Sequence, residues 1–326
     1  MNTSSDNQIK TLSIIQAMKS GFNTIAERPY LILFPILLDL FLWFGPAWRV
    51  FDFFEPYLLS LSDLSGFEST EFMAILESFQ QAWQDLLANF NLAIALRTLP
   101  IGIPSLMVSK PSFLNPLGNP LTINLQSSNQ ILMFWFLFLL TGFFFGNLYF
   151  QTITRQVITE FVWPIKRLFK SYLQILLMPL VLLIILSIMV IPLILLVTMI
   201  SLISPAISQF LLFLAGILIV WAITPLLFTP HGIFLYQQNI IEAMLTSIKI
   251  VRLTMGKTIW FILLSFVLVQ GLDNLWRSPH VDNWFLLVGI IGRAFVVTAV
   301  ITASFHYYLE ATKISQAIIT QEIQAT

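Results

Sequence analysis

The chain alternates long apolar runs with shorter mixed stretches that carry most of its basic residues. A helix needs roughly 20 apolar residues to cross a hydrocarbon layer about 30 Å thick. Six runs reach or approach that length, at about 30–49, 131–151, 171–201, 207–236, 258–275 and 284–308. The pattern predicts an all-α fold, a polytopic membrane helix bundle of about six transmembrane helices. The first run follows 29 mixed residues and has no small-residue cleavage site behind it, so it reads as a retained helix and not a signal peptide. The third and fourth runs are longer than one crossing needs and carry Pro179, Pro192, Pro225 and Pro230, which predicts kinked or tilted helices.

Shorter amphipathic stretches lie between the runs. Ile14-Ile15-Gln16-Ala17-Met18 precedes the first span, and Ile240-Ile241-Glu242-Ala243-Met244 precedes the fifth. The run Val157, Ile158, Phe161, Val162, Ile165 and Leu168 precedes the third. Each sets apolar residues at helical spacing with Lys or Arg on the other face, the pattern of a helix lying in the headgroup region. Three units of interfacial helix, span and span are therefore expected, within one membrane domain over 1–326. In that arrangement 1–29 holds the first interfacial helix, 51–130 is a loop and 131–326 holds the other five spans. The loop has an ordered part, because Phe72, Ile75, Leu76, Phe79, Trp83, Leu86, Leu87 and Phe90 form a helical stripe that must rest on membrane or on the tops of the spans. The stretch Leu99-Pro100-Ile101-Gly102-Ile103-Pro104-Ser105-Leu106 is too broken for a helix. It is either a loop packed over the bundle or a shallow re-entrant dip.

Composition agrees with lipid as the solvent. Apolar residues make up 57% of the chain and charged residues 10%, against roughly a quarter charged in soluble domains. A formal net charge of zero gives no bulk attraction to nucleic acid. The absence of cysteine removes disulfides, thiolate catalysis and iron–sulfur ligation. Basic residues are unevenly placed. Lys10, Lys19, Arg28, Arg155, Lys166, Arg167, Lys170, Lys249, Arg252, Lys257 and Lys313 fall on one side of the spans, and Arg49, Arg97, Lys110 and Arg277 on the other. By the positive-inside rule both termini are expected in the cytoplasm of a cell-membrane protein. The loop with Asp52, Glu55, Asp63, Glu68, Glu71, Glu77 and Asp85 is then outside.

Two segments carry a family likeness. Pro35-Ile36-Leu37-Leu38-Asp39-Leu40-Phe41-Leu42-Trp43, followed by Gly45-Pro46, resembles the first helix of a group of bacterial six-span membrane proteins. Residues 239–265, with Glu242-Ala243, a basic amphipathic run and Gly256, resemble the membrane domain attached to some glycerophosphoryl diester phosphodiesterases. The acidic loop departs from that domain, and the soluble barrel with its metal-binding carboxylates is missing. The resemblance implies a fold and no activity.

Candidate chemistry is sparse. Asp39 and Arg293 fall inside spans, roughly 14–15 Å deep at 1.5 Å per residue. An unpaired charge there costs at least a few kcal/mol, so the two are expected to face the interior and pair, directly or through another polar side chain. The pair reads as a static clamp or, alternatively, as a gate or proton relay. Gly142 and Gly146 form a small-xxx-small motif that lets another helix approach closely, within the chain or, alternatively, at a dimer seam. Gly256-Lys257-Thr258 lacks the earlier glycine and the strand of a phosphate-binding loop. His231, His280 and His306 have no zinc spacing, and the neutral reading of each is an interfacial histidine and not an axial haem ligand. No catalytic residue, cofactor or metal ligand is assigned. Two readings of function stand: a non-enzymatic scaffold, accessory or lipid-organising component, or a transporter for a lipidic or small amphipathic solute. Membrane lipid and other membrane proteins are the expected partners, and nucleic acid is not.

Overall fold

A computed structural model of the chain describes residues 13–62, 70–110, 113–158 and 165–325. Phe161 and Val162 of the third amphipathic run, with Asp63 and Glu68 of the acidic loop, lie outside them. The fold is all-α. In chain order the helices are α1 (Ile14–Glu27), α2 (Leu33–Phe44), α3 (Phe51–Ser62), α4 (Thr70–Ala88) and α5 (Ser128–Val157). Then come α6 (Ile165–Ser201), α7 (Pro205–Ile223), α8 (Thr229–Tyr236), α9 (Ile240–Leu253), α10 (Met255–Arg277) and α11 (Leu286–Ala325). Two three-residue strands, β1 (Ala47–Arg49) and β2 (Thr122–Asn124), pair in parallel.

Five helices are long and apolar enough to cross a membrane: α5, α6, Pro205–Tyr236, α10 and Leu286–Gln321. The first expected span is shorter. Pro29–Ile32 forms a 3-10 turn that runs into α2, and the apolar helix Pro29–Phe44 ends where Gly45-Pro46 breaks it. Its 16 residues would cover about 24 Å at 1.5 Å per residue. Large apolar side chains face outward along the long helices. In α6, Ile188 is 69% and Ile191 56% exposed, which water would penalise and hydrocarbon does not.

The described residues divide into two compact units where one domain was expected. One unit takes in 1–27, 150–267 and 299–326. There α1 buries Ala17, Met18, Gly21 and Ile25, and a Cβ at Gly21 would meet Ala303 Cβ at 2.6 Å, so α1 packs closely on α11. Pro225 and Pro230 interrupt the fourth run, which continues through a 3-10 turn over Thr224–Phe228 into α8. Asn239 and Glu242 form a capping box at the start of α9, each side chain accepting from the other's backbone N–H, which satisfies two of the donors a helix start leaves unpaired. Helix α9 buries Ile240, Ala243, Met244, Ile250 and Val251. The apolar faces of α1 and α9 are thus largely covered by protein, while Ile15, Ile241 and Leu245 point outward. Helical periodicity does not distinguish a protein neighbour from a lipid one.

The other unit takes in 28–149 and 268–298. In it α4 pairs with α3 and leaves Ile75, Phe79, Trp83 and Leu86 exposed. The core gathers Trp43, Leu106, Met107, Leu286 and Ile290, with Trp43 Nε1 donating to Val281 O at 2.7 Å. Tyr149 Oη donates to Thr298 Oγ1 at 2.9 Å, linking α5 to α11.

Candidate functional site

The feature that organises the second unit is the stretch between Asn91 and Lys110, which holds two short 3-10 turns, Leu92–Leu96 and Met107–Ser109, and no α-helix. Leu92, Ala93, Leu96, Ile101, Ile103, Leu106 and Met107 are buried, and so are Thr98 and Ser105. It lies against the middle of α5. A Cβ on Gly142 would collide with the carbonyl oxygen of Leu96, and one on Gly146 would come within 3.3 Å of Gly102 Cα. These glycines stand 14 and 18 residues into α5, or about 21 and 27 Å along its axis. The small-xxx-small face therefore receives irregular backbone where a second helix was expected. A side chain at Gly142 would exclude that backbone.

Irregular backbone at such depth needs partners for every exposed N–H and C=O, because hydrocarbon offers none. The chain provides them. Asn91 opens the segment, its Oδ1 accepting from Trp48 N at 3.1 Å and Ala93 N at 3.0 Å. Thr98 Oγ1 donates to Ile101 O at 2.6 Å. Asp39 then takes three donors: Ser105 Oγ at 2.5 Å, Leu106 N at 3.0 Å and Met107 N at 3.0 Å. A carboxylate is an acceptor only, so it suits a turn that presents donors alone. Arg293 supplies the opposite chemistry, donating from Nη1 to the carbonyl of Ser105. Asp39 and Arg293 thus meet on one residue, Ser105, which binds one through its hydroxyl and the other through its carbonyl.

The ion pair of Arg293 is with Asp273, Nε to Oδ1 at 2.9 Å. Arg277, one turn along α10, reaches the same carboxylate at 2.5 Å. Asp273 lies near the end of the fifth apolar run, where a carboxylate by itself gives no sign of burial. Its spacing of four from Arg277 is the one local signal of a partner. Arg97 stands within electrostatic reach of Asp39, Asp273 and Arg277. Ser105 carried no signal at all, since a serine in a proline-rich stretch reads as turn. Trp276 packs against Gly289 and Gly292, which brings α10 and α11 close enough for these pairs.

No family model, curated protein or solved structure matches this chain. The site therefore has to be read from its own geometry.

Beside the segment lies a half-open cavity of about 480 Å³, lined by one face of α2 and one of α5, with Leu96 and Ile103 as its floor. On α2 the lining residues are Phe34, Leu37, Leu38 and Phe41, at the spacing of one helical face. Trp48 closes around Phe138, ring centroids 4.8 Å apart. The wall is almost wholly apolar, with Thr141 its one polar side chain.

The histidines lie elsewhere. His231 is buried in the first unit, its Nε2 2.8 Å from Ser304 Oγ and its ring 4.4 Å from that of Phe305. Three aromatic neighbours, Phe228, Phe305 and Tyr308, surround it, so protein covers the ring. Among the described residues no group of three His, Asp or Glu is placed to hold a metal ion.

Proposed function

We propose that this chain is a non-enzymatic, lipid-organising component of the cell membrane, with both termini in the cytoplasm. The observation that carries the reading is the apolar groove between α2 and α5, half open and floored by a segment whose turn at Leu106 and Met107 is held by Asp39. A groove without hydrogen-bonding groups holds hydrocarbon better than water. Exposed Leu37, Phe41, Leu137 and Phe145 at its margin continue into the lipid-facing surface. The eleven basic residues on one side of the spans favour the anionic inner leaflet and set the orientation. The likeness of 35–46 to the first helix of bacterial six-span membrane proteins, and of 239–265 to the phosphodiesterase membrane domain, belongs to the same proposal, as a fold without the enzyme.

The test is reconstitution with phospholipid spin-labelled near the end of one acyl chain. An immobilised lipid component is expected, and it should shrink when Thr141→Trp fills the groove. Equal spectra for the two proteins would count against the reading. Transport of a lipidic or amphipathic solute is the second reading, favoured by the prolines inside α6 and between α7 and α8. The same vesicles test it, because lipid scrambling or solute flux under a gradient would replace the organising role by a transporting one.

A further inference from the structure

The charges gathered around Asp39 and Asp273 do not balance among the described residues. Three guanidiniums, of Arg97, Arg277 and Arg293, stand within electrostatic reach of two carboxylates, those of Asp39 and Asp273. Asp273 is engaged by Arg277 and Arg293. Asp39 is engaged by Ser105 Oγ and the N–H groups of Leu106 and Met107. The Arg97 guanidinium has no ion pair and no hydrogen bond among the described residues. Its nitrogens are also not occluded, whereas Nε of Arg277 and Nε of Arg293 are. Arg97 is half-buried and immediately follows Leu96, which packs on Gly142 midway along α5, while the two carboxylates near it are already engaged by other donors. A planar five-donor fork held in that state suits an oxyanion, which it can bind through two parallel hydrogen bonds.

We propose that Arg97 is the anchor of an anion-binding site for a phosphate-type oxyanion, which completes the charge of the Asp39–Asp273–Arg293 network. The site does not depend on the groove taking an acyl chain. Its experiment reads a different property, so either idea can fail alone.

The experiment measures thermal unfolding of the purified full chain in a non-ionic detergent. Sodium phosphate is titrated against sodium chloride at matched ionic strength, and in a second arm phosphatidylglycerol is doped into the micelles against phosphatidylcholine. Binding to the folded state alone should raise Tm by at least about 2 °C at saturation. A rise in the phosphate arm assigns a free oxyanion, and a rise confined to phosphatidylglycerol assigns a lipid headgroup. Arg97→Gln should abolish the rise and leave the anion-free Tm equal to or above that of wild type, since carboxylates and guanidiniums then match. Arg97→Lys keeps the charge without the fork, and should keep a rise that needs several-fold more phosphate. No rise in either arm overturns the proposal, and so does a rise that persists in Arg97→Gln. An anion-free Arg97→Gln protein less stable than wild type also overturns it, because Arg97 would then be serving Asp39 and Asp273 as a counter-charge.

Discussion

Replacing Asp39 tests the claim that its carboxylate holds the Asn91–Lys110 segment in place. Asp39 is 2% exposed and accepts from three donors, one hydroxyl and two backbone N–H groups. A hydrogen bond to a charged acceptor contributes about 1.5–3 kcal/mol, and a buried donor left without a partner costs about 1–3 kcal/mol. Asp39→Leu strands both N–H groups, because the backbone cannot rotate them toward water, while the Ser105 hydroxyl can turn to another acceptor. Two stranded donors at 1–3 kcal/mol each give a loss of about 2–6 kcal/mol. Asp39→Asn keeps one acceptor oxygen but points an amide at the remaining donor, so about 2–4 kcal/mol is expected. Ser105→Ala removes one donor and leaves the backbone pair intact, for about 1.5–3 kcal/mol. The assay is reversible unfolding in mixed micelles, with Asp39→Asn, Ser105→Ala and the double variant forming a cycle. The double variant should lose less than the sum of the two, since both act on one hydrogen bond. Asp39→Asn and Asp39→Leu both within about 0.5 kcal/mol of wild type would refute the argument, because three charge-assisted bonds in a buried site cannot be worth so little.

Three further outcomes follow from the same geometry. Gly142→Ala should destabilise by at least about 2 kcal/mol, because its Cβ meets backbone that cannot move aside, while Gly216→Ala, with open space around it, should be neutral or stabilise by about 0.5–1 kcal/mol through helix propensity. The two variants are compared by melting temperature in the same detergent. Arg293→Gln should cost about 2–4 kcal/mol, since it strips a 6%-exposed carboxylate of one partner and the Ser105 carbonyl of its donor. Arg277→Gln should cost under about 1 kcal/mol, since that side chain is 38% exposed and water screens its pair. Tyr149→Phe should cost about 1 kcal/mol by the same unfolding assay, through loss of the bond to Thr298.

Membrane helices and their approximate limits were legible in the chain, because twenty apolar residues in a row have few other uses and the signal is local. Inward-facing Asp39 and Arg293 followed from the cost of charge in hydrocarbon, which also needs no knowledge of neighbours. The glycine pair in α5 announced a close approach, and the proline-rich stretch after Leu99 announced irregular backbone. Only the tertiary structure joined these two facts, by laying the irregular backbone on the glycine face. It also decided that Asp39 would cap Leu106 and Met107, 67 and 68 residues away. Asp273, which reads in the chain as a residue at a span end, became the counter-charge of Arg293 only once α10 and α11 had packed together through Trp276 and two glycines. A helical pattern states which face is apolar but not what will cover it. Pairing at long range depends on which elements meet, and that is settled by the packing of the whole unit and by no segment alone.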